Sequence, residues 1–249
     1  MNYNPFSLAG KTILVTGASS GIGKAIAIEC SKMGAKTIIS GRKKERLDDT
    51  FSLLQGEGHK LILADFQEEE GVNSIVNNLE TIDGVVHCAG IAKPLPFQFI
   101  NDSVLSEVLK VNFMAPALLS QQIVKGKKLN RNGSIVFISS ISGILCSFVG
   151  GAVYSASKGA INGLVKGMAL DLAPKGIRVN SILPGMIDTN FLKDGIITQE
   201  QLDQDKKRYP LGRYGRPEEV AYAVTYLLSD ASIWMTGSNI VIDGGYTLI

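Results

Sequence analysis

Histidine is nearly absent from this chain. Only His59 and His87 occur in 249 residues, too few for a histidine-rich catalytic metal site. Cysteine is scarce too. Cys30, Cys88 and Cys146 are odd in number and widely spaced, so neither a disulfide framework nor a C-x-x-C pair is expected, and a reducing compartment is. No apolar run approaches the length of a membrane-spanning helix. The start, MNYNPFSLAGK, lacks the charged and apolar regions of a secretory signal, so a cytoplasmic location is expected. Neither sign of charge is in excess: 25 basic residues face 23 acidic ones, net +2. That balance provides no general field for a nucleic-acid backbone or an anionic membrane. With 45% hydrophobic and only 19% charged residues, the chain is no disordered tail but can bury a full core.

What is present is alternation. Short apolar, β-branched runs predict strands at 11–16, 37–40, 60–64, 83–90, 133–140, 177–185 and 239–245. Between them, helical patterns are expected at 24–33, 44–54, 68–79, 103–125 (bent near Pro116), 153–173 and 217–228, with 186–216 irregular. Several strands are apolar throughout, as a sheet covered on both faces requires. No linker or repeat divides the chain. The expected fold is α/β: one domain over 1–249 with a doubly wound, seven-stranded parallel sheet of Rossmann type.

Gly17, Gly21 and Gly23 stand between the first strand and the first helix. A diphosphate held at a helix N-terminus needs close approach of backbone amides, which side chains would obstruct. The spacing T-G-x-x-x-G-x-G differs from the commoner G-x-G-x-x-G, but its place after the first strand supports a dinucleotide cradle. The second strand ends without the acidic residue that would receive ribose hydroxyls in an NAD site. Arg42 and Lys43 stand there instead, suited either to a 2′-phosphate or to a solvated helix start. NADP(H) is expected over NAD(H). Asp65, ending the third strand, is placed to accept from an adenine amine or to cap the next helix.

Tyr154 and Lys158 are four apart on one helical face. A nearby ammonium is expected to lower the phenol's pKa so that Tyr154 exchanges a proton with a carbonyl or alcohol oxygen. Ser139 and Ser140 close the preceding strand, where a hydroxyl would orient the same oxygen.

These motifs carry a resemblance. T-G-A-S-S-G-I-G at 16–23 and Y-S-A-S-K at 154–158 resemble the cofactor and active-site motifs of the short-chain dehydrogenase/reductase family, and the likeness runs from Lys11 to Gly244-Gly245-Tyr246. It implies a catalytic set of Asn112, Ser140, Tyr154 and Lys158, with Ser140 preferred to Ser139 and Ser142, and with Asn112 holding a water in a proton relay. Lys158 would also bind the nicotinamide ribose. The implied cofactor contacts are Gly17, Ser19, Ser20, Gly21, Ile22 and Gly23; Arg42 and Lys43; Asp65 and Phe66; Ala89 and Gly90; Tyr154 and Lys158; and Pro184, Gly185, Ile187 and Thr189. Two departures stand out. His87-Cys88-Ala89-Gly90 replaces the family's N-N-A-G, and Ser20 stands where many NADP-preferring members carry a basic residue.

The resemblance also implies a substrate lid at about 190–216, with Phe191, Leu192, Ile196, Ile197 and Leu202 as apolar cover. The segment P-L-G-R-Y-G-R-P-E-E-V at 210–220 resembles 3-oxoacyl-carrier-protein reductases, whose basic surface residues would correspond to Arg131 and Lys175. A 3-oxoacyl thioester reductase is therefore expected, with an acyl carrier protein as partner. A sugar, polyol or small-ketone dehydrogenase is the alternative, and a non-catalytic cofactor-binding scaffold is the reading from another class. The resemblance further implies a homotetramer paired through the long helices and the C-terminal strand and tail.

Overall fold

A computed structural model describes residues 3–189 and 198–249. Seven strands form a single parallel sheet: β1 Thr12–Thr16, β2 Lys36–Gly41, β3 Lys60–Leu63, β4 Ile82–His87, β5 Leu129–Ile138, β6 Arg178–Pro184 and β7 Asn239–Ile242, in the order β3-β2-β1-β4-β5-β6-β7. The expected doubly wound sheet is therefore present. Its strand order reverses between β1 and β4, and in such sheets ligands bind outside the carboxyl ends of the strands at the reversal.

Eight α-helices are described: α1 Gly21–Lys32, α2 Lys44–Phe51, α3 Gly71–Asn77, α4 Asp102–Leu109, α5 Ala115–Lys125, α6 Ala152–Leu172, α7 Gln199–Lys206 and α8 Pro217–Leu228. Two apolar layers hold them to the sheet. On one face, Ile26 and Cys30 of α1 and Val220 and Val224 of α8 meet Val15 and Val136. On the other, Leu119 and Ile123 of α5 and Ile161 and Val165 of α6 meet Leu14, Val85 and Phe137. Strands buried on both faces explain the unbroken apolar runs in the sequence. Among the described residues, no helix is long and apolar enough to cross a membrane.

The helix expected over 103–125 is two helices joined by a π turn, Lys110–Met114. Pro116 follows at once, and because the backbone stays helical from α4 through the π turn into α5, its missing N–H and its ring fall on the carbonyls of that turn, as the expected bend near Pro116 requires. β4 ends at His87 and β5 at Ile138, so Cys88–Gly90 and Ser139–Ser140 lie in the loops beyond them. β5 begins earlier than expected because Leu129 pairs with Ile82 across a register shift. The expected helix at 68–79 is shorter, Gly71–Asn77.

The stretch read as irregular contains α7. Thr198 and Gln201 form a reciprocal capping box at its start. A parallel bridge also joins Ile187 to Gly215. Phe191, Leu192, Ile196 and Ile197 lie outside the described residues. Leu202 is half-buried on α7.

Candidate functional site

The glycine cradle is built from close backbone contacts. Gly17 has φ +68°, and a Cβ there would lie 2.7 Å from the Ala89 backbone; one on Gly23 would lie 2.3 Å from the Gly17 carbonyl. Side chains at these two positions would close the turn. Ser20, the residue before α1, is extended and its side chain caps no amide, and the first turn of α1 carries no acid. The N-terminus of a 12-residue helix therefore presents uncapped amides and its positive dipole end, which fits a diphosphate. Both polar groups of Ala18 hold the turn: Thr50 Oγ1 donates to its carbonyl at 3.0 Å, and its amide donates to the Ser40 carbonyl at 3.0 Å.

Thr16 was not singled out in the sequence. Its Oγ1 donates to Val86 O at 3.3 Å and accepts from the amides of Cys88 and Ala89 at 3.2 and 3.3 Å. It ties the exits of β1 and β4 together at the strand-order reversal. Its place at the end of the first strand, ahead of the cradle, was the available signal. The Cys88 side chain packs against an apolar layer, and burial pushes its thiol up to about 12.

Arg42 and Lys43 are exposed just beyond β2, and neither side chain makes a hydrogen bond or ion pair among the described residues. Asp65 Oδ1 accepts from the Gln67 amide at 2.9 Å. This is a local turn and not a helix cap: α3 starts six residues later, with Glu70 at its N-cap position. Phe66 is buried. Opposite the cradle, the loop after β6 brings Thr189 to α1: a Cβ on Gly21 would lie 3.2 Å from the Thr189 methyl. The Gly185 amide donates to Ile242 O at 2.9 Å, anchoring Pro184–Gly185 to β7.

The four residues expected to be catalytic converge. Ser140 is close enough to Tyr154 to act on the phenol, favouring its charged form against burial. The Lys158 ammonium lies 5.7 Å from the centre of the Tyr154 ring and donates to Ile138 O at 2.8 Å. Ser139 instead donates to the Lys158 carbonyl at 3.1 Å, and the Ser142 amide donates to Ser140 Oγ at 3.1 Å. These contacts separate the three serines: Ser140 faces the phenol and Ser139 braces α6. A Cβ on Gly90 would stand 3.4 Å from Asn112 Oδ1 and 3.6 Å from Lys158 Nζ, so the loop after β4 passes beside both.

Two details differ from expectation. Burial raises the Tyr154 pKa despite the opposing effect of Ser140; the lowering expected from Lys158 is absent. Burial also depresses Lys158, to about 8, which still leaves most of its positive charge in place at neutral pH. The Asn112 side chain is fully engaged. Its Oδ1 accepts from Ile91 N at 2.8 Å, and its Nδ2 donates to Ile91 O at 2.9 Å and to Ser157 Oγ at 3.0 Å. It clamps the β4 loop to the π turn. Ser157, also missed in the sequence, passes the contact on to Tyr154 O at 2.6 Å.

Arg131 and Lys175 are exposed near the amino ends of β5 and β6, whereas Tyr154 and the cradle lie at the carboxyl ends. The regular part of β5, after the register shift between Leu129 and Ser134, alone puts roughly 17 Å of strand rise between Ser134 and Ser139. Among the described residues, no cluster of His, Cys, Asp or Glu could hold a metal ion.

Comparison with known proteins places this arrangement among relatives. A family model described as "Enoyl-(Acyl carrier protein) reductase" matches residues 17–247. The 3-oxoacyl-[acyl-carrier-protein] reductase of Rickettsia prowazekii is 34% identical over 97% of this chain and 99% of its own. Gluconate 5-dehydrogenase of Gluconobacter oxydans is 33% identical over 98% of this chain and 97% of its own. Among solved structures, a provisionally assigned 2-deoxy-D-gluconate 3-dehydrogenase from Agrobacterium tumefaciens, with bound NADP, superposes with TM-score 0.88. It is 30% identical, over 99% of this chain and all of that one.

Proposed function

Because the chain belongs to the short-chain dehydrogenase/reductase family and is an NADP(H)-dependent oxidoreductase, we propose that it interconverts a ketone and a secondary alcohol, with a 3-oxoacyl thioester as the leading substrate. The observation that carries this reading is the convergence of Lys158, 5.7 Å from the Tyr154 ring centre, and Ser140 on that phenol, beside the loop that closes on the glycine cradle. The cofactor's diphosphate would rest on the Gly17–Gly23 turn, its 2′-phosphate against Arg42 and Lys43, and its nicotinamide end beside Pro184–Thr189. When bound, it supplies the hydride. Tyr154 donates its phenolic proton to the carbonyl oxygen, and Ser140 donates a hydrogen bond that orients that oxygen. The raised pKa of the buried phenol suits reduction, because the proton to be donated stays in place at neutral pH. Lys158 binds the ribose and supports proton return to Tyr154. Asn112 contributes by fixing the π turn and the β4 loop around that lysine.

A docking role for Arg131 and Lys175 toward an acyl carrier protein belongs to the thioester reading. Their place at the far edge of the sheet means that a carrier bound there would serve its own protomer's site only from a long way off. The sugar or polyol reading is supported by the gluconate dehydrogenase among the relatives. A homotetramer and a cytoplasmic location complete the proposal.

The test combines two variants. Tyr154→Phe should retain NADPH affinity by fluorescence titration and lose about 10²-fold or more in turnover. Arg42→Ala should weaken NADPH by roughly tenfold or more through loss of a charge-assisted hydrogen bond, and leave NADH little changed. Near-normal turnover in the first variant would overturn the Tyr154 chemistry. Tighter NADH than NADPH binding by the unmodified protein would overturn the cofactor preference.

A further inference from the structure

Two loops reach from the carboxyl edge of the sheet on the Tyr154 side. After β4 the chain reads I-A-K-P-L-P-F-Q-F-I over 91–100; after β5 it reads I-S-G-I-L-C-S-F-V-G-G over 141–151. They touch one another where the Leu95 amide donates to Gly150 O at 3.0 Å. Both leave large apolar side chains uncovered: Phe97, Ile144, Leu145, Phe148 and Val149 are all exposed, Val149 at 96%. Charge is almost missing from this surface. The second loop has no ionisable residue other than Cys146, and Lys93, the one cation of the first, is paired with Glu107.

Phe148 is the part of this surface that meets the chemistry. Its ring lies flat over Gly151, where a Cβ would come within 2.8 to 2.9 Å of three ring carbons. The Gly151 amide donates back to Phe148 O at 2.9 Å. The ring is thereby held at the first turn of α6, with its centre 6.0 Å from that of Tyr154 and tilted by 51°. One face of Phe148 is still open, at 44% exposure. A substituent on a carbonyl carbon that reaches Tyr154 has this ring as its neighbour.

We infer that Phe148 is a specificity-determining wall of the site, and that the substrate side takes carbonyl compounds bearing a hydrocarbon chain or ring rather than polyhydroxylated acids. The inference rests on the ketone-reduction reading above and narrows it. A polyhydroxy acid would lose water from its hydroxyls against apolar side chains that return no hydrogen bonds. Its carboxylate would find no unpaired cation on either loop. A hydrocarbon substituent removes its own apolar area and that of Phe148 and its neighbours from water together.

The experiment compares 3-oxobutanoyl, 3-oxohexanoyl and 3-oxooctanoyl thioesters of a small thiol with 5-keto-gluconate, using the full chain, Phe148→Ala and Phe148→Leu. Two quantities are read: kcat/KM with NADPH, and binding of the corresponding 3-hydroxyacyl thioesters to the NADP-saturated protein by calorimetry. In the unmodified protein both should improve by about two- to fourfold per methylene, and keto-gluconate should be the poorest substrate. Phe148→Ala should flatten the chain-length dependence, Phe148→Leu should keep part of it, and NADPH affinity should be unchanged in both. Preference for keto-gluconate, or an equal chain-length dependence in all three proteins, would overturn the wall. Chain-length-dependent binding without turnover of any ketone would uphold the wall while sinking the reductase reading on which it was built.

Discussion

His87 illustrates how far a single residue can be read. The sequence places it at the exit of the fourth strand as a structural residue, since Tyr154 already fills the proton-transfer role. In the structure it is buried and stacked on Phe137 at 4.6 Å, with Nε2 2.7 Å from Ser120 Oγ and Nδ1 without a partner. Burial lowers its pKa to about 3, so it is a neutral core residue. The sign of its pH effect follows. Between about 3 and 6.5 the unfolded chain binds a proton that the folded chain refuses, so stability is highest above 6.5 and falls as pH drops through that window. At pH 4.5 the loss should be about 2–3 kcal/mol. His87→Asn should remove most of this slope, as urea unfolding at pH 7 and pH 4.5 would measure; an unchanged slope would assign the acid sensitivity to other groups. At this scale the candidate catalytic set was the most legible part of the sequence. The roles proposed for Tyr154, Lys158 and the cradle glycines call for those residue types, and the fold brings Tyr154 and Lys158 together beside the cradle loop. The direction of the Tyr154 shift was not legible, because it depends on how tightly the rest of the fold buries the phenol.

Elements were legible where local pattern decides them and obscure where tertiary contacts do. The apolar strands and the helix at 217–228 follow from period and composition. The π turn at Lys110–Met114 follows only in part: Pro116 marks the bend, but Asn112 is held there by Ile91 and Ser157, residues 21 and 45 positions away. The helix α7 carried a readable signal, since Thr198 and Gln201 have capping-box spacing, but its polar composition masked it. The segment behind α7 gives a second unexpected element. Tyr209 OH accepts from the Met186 amide at 3.2 Å, and its ring packs edge-on to Tyr214 at 5.5 Å and against Tyr246 at 4.8 Å. Tyr214 OH donates to Asp205 of α7 at 3.0 Å, and Arg208 donates to Tyr246 OH. Three tyrosines thus brace the loop that sets Thr189 against the cradle. Tyr209→Phe removes one hydroxyl from this brace, so NADPH affinity should fall by about three- to tenfold, the scale of one lost hydrogen bond. Adenosine 2′,5′-bisphosphate, which lacks the nicotinamide half, should bind unchanged. Fluorescence titration distinguishes the two, and equal weakening of both ligands would mean that the brace acts on the whole fold rather than on this loop.

At the scale of the whole molecule, the strand order and the two buried layers leave apolar surface in two places besides the loops next to Tyr154. One follows α4, the π turn and α5, where Leu105, Met114 and Leu118 are exposed. The other lies around the end of α6 and the β7 edge. Trp234 there is 100% exposed, with Ile233, Leu170 and Val241 also uncovered, and Gly237 brings that turn against Ala169. β7 ends the sheet, so it also presents unpaired backbone groups to a neighbour. Two unlike, self-complementary faces are what a tetramer of dihedral symmetry needs, whereas one face makes only a dimer. Each large side chain that passes from full exposure to burial at such a face contributes about 1.5–3 kcal/mol. Light scattering at micromolar concentration should therefore give four times the 26.6 kDa chain mass. Trp234→Glu would place a charge in the second face alone, and should leave a dimer joined through α4, α5 and α6, with its far-UV circular dichroism unchanged. A monomer mass for the unmodified chain would refute the assembly, and an unaltered tetramer in the Trp234 variant would move the second interface elsewhere.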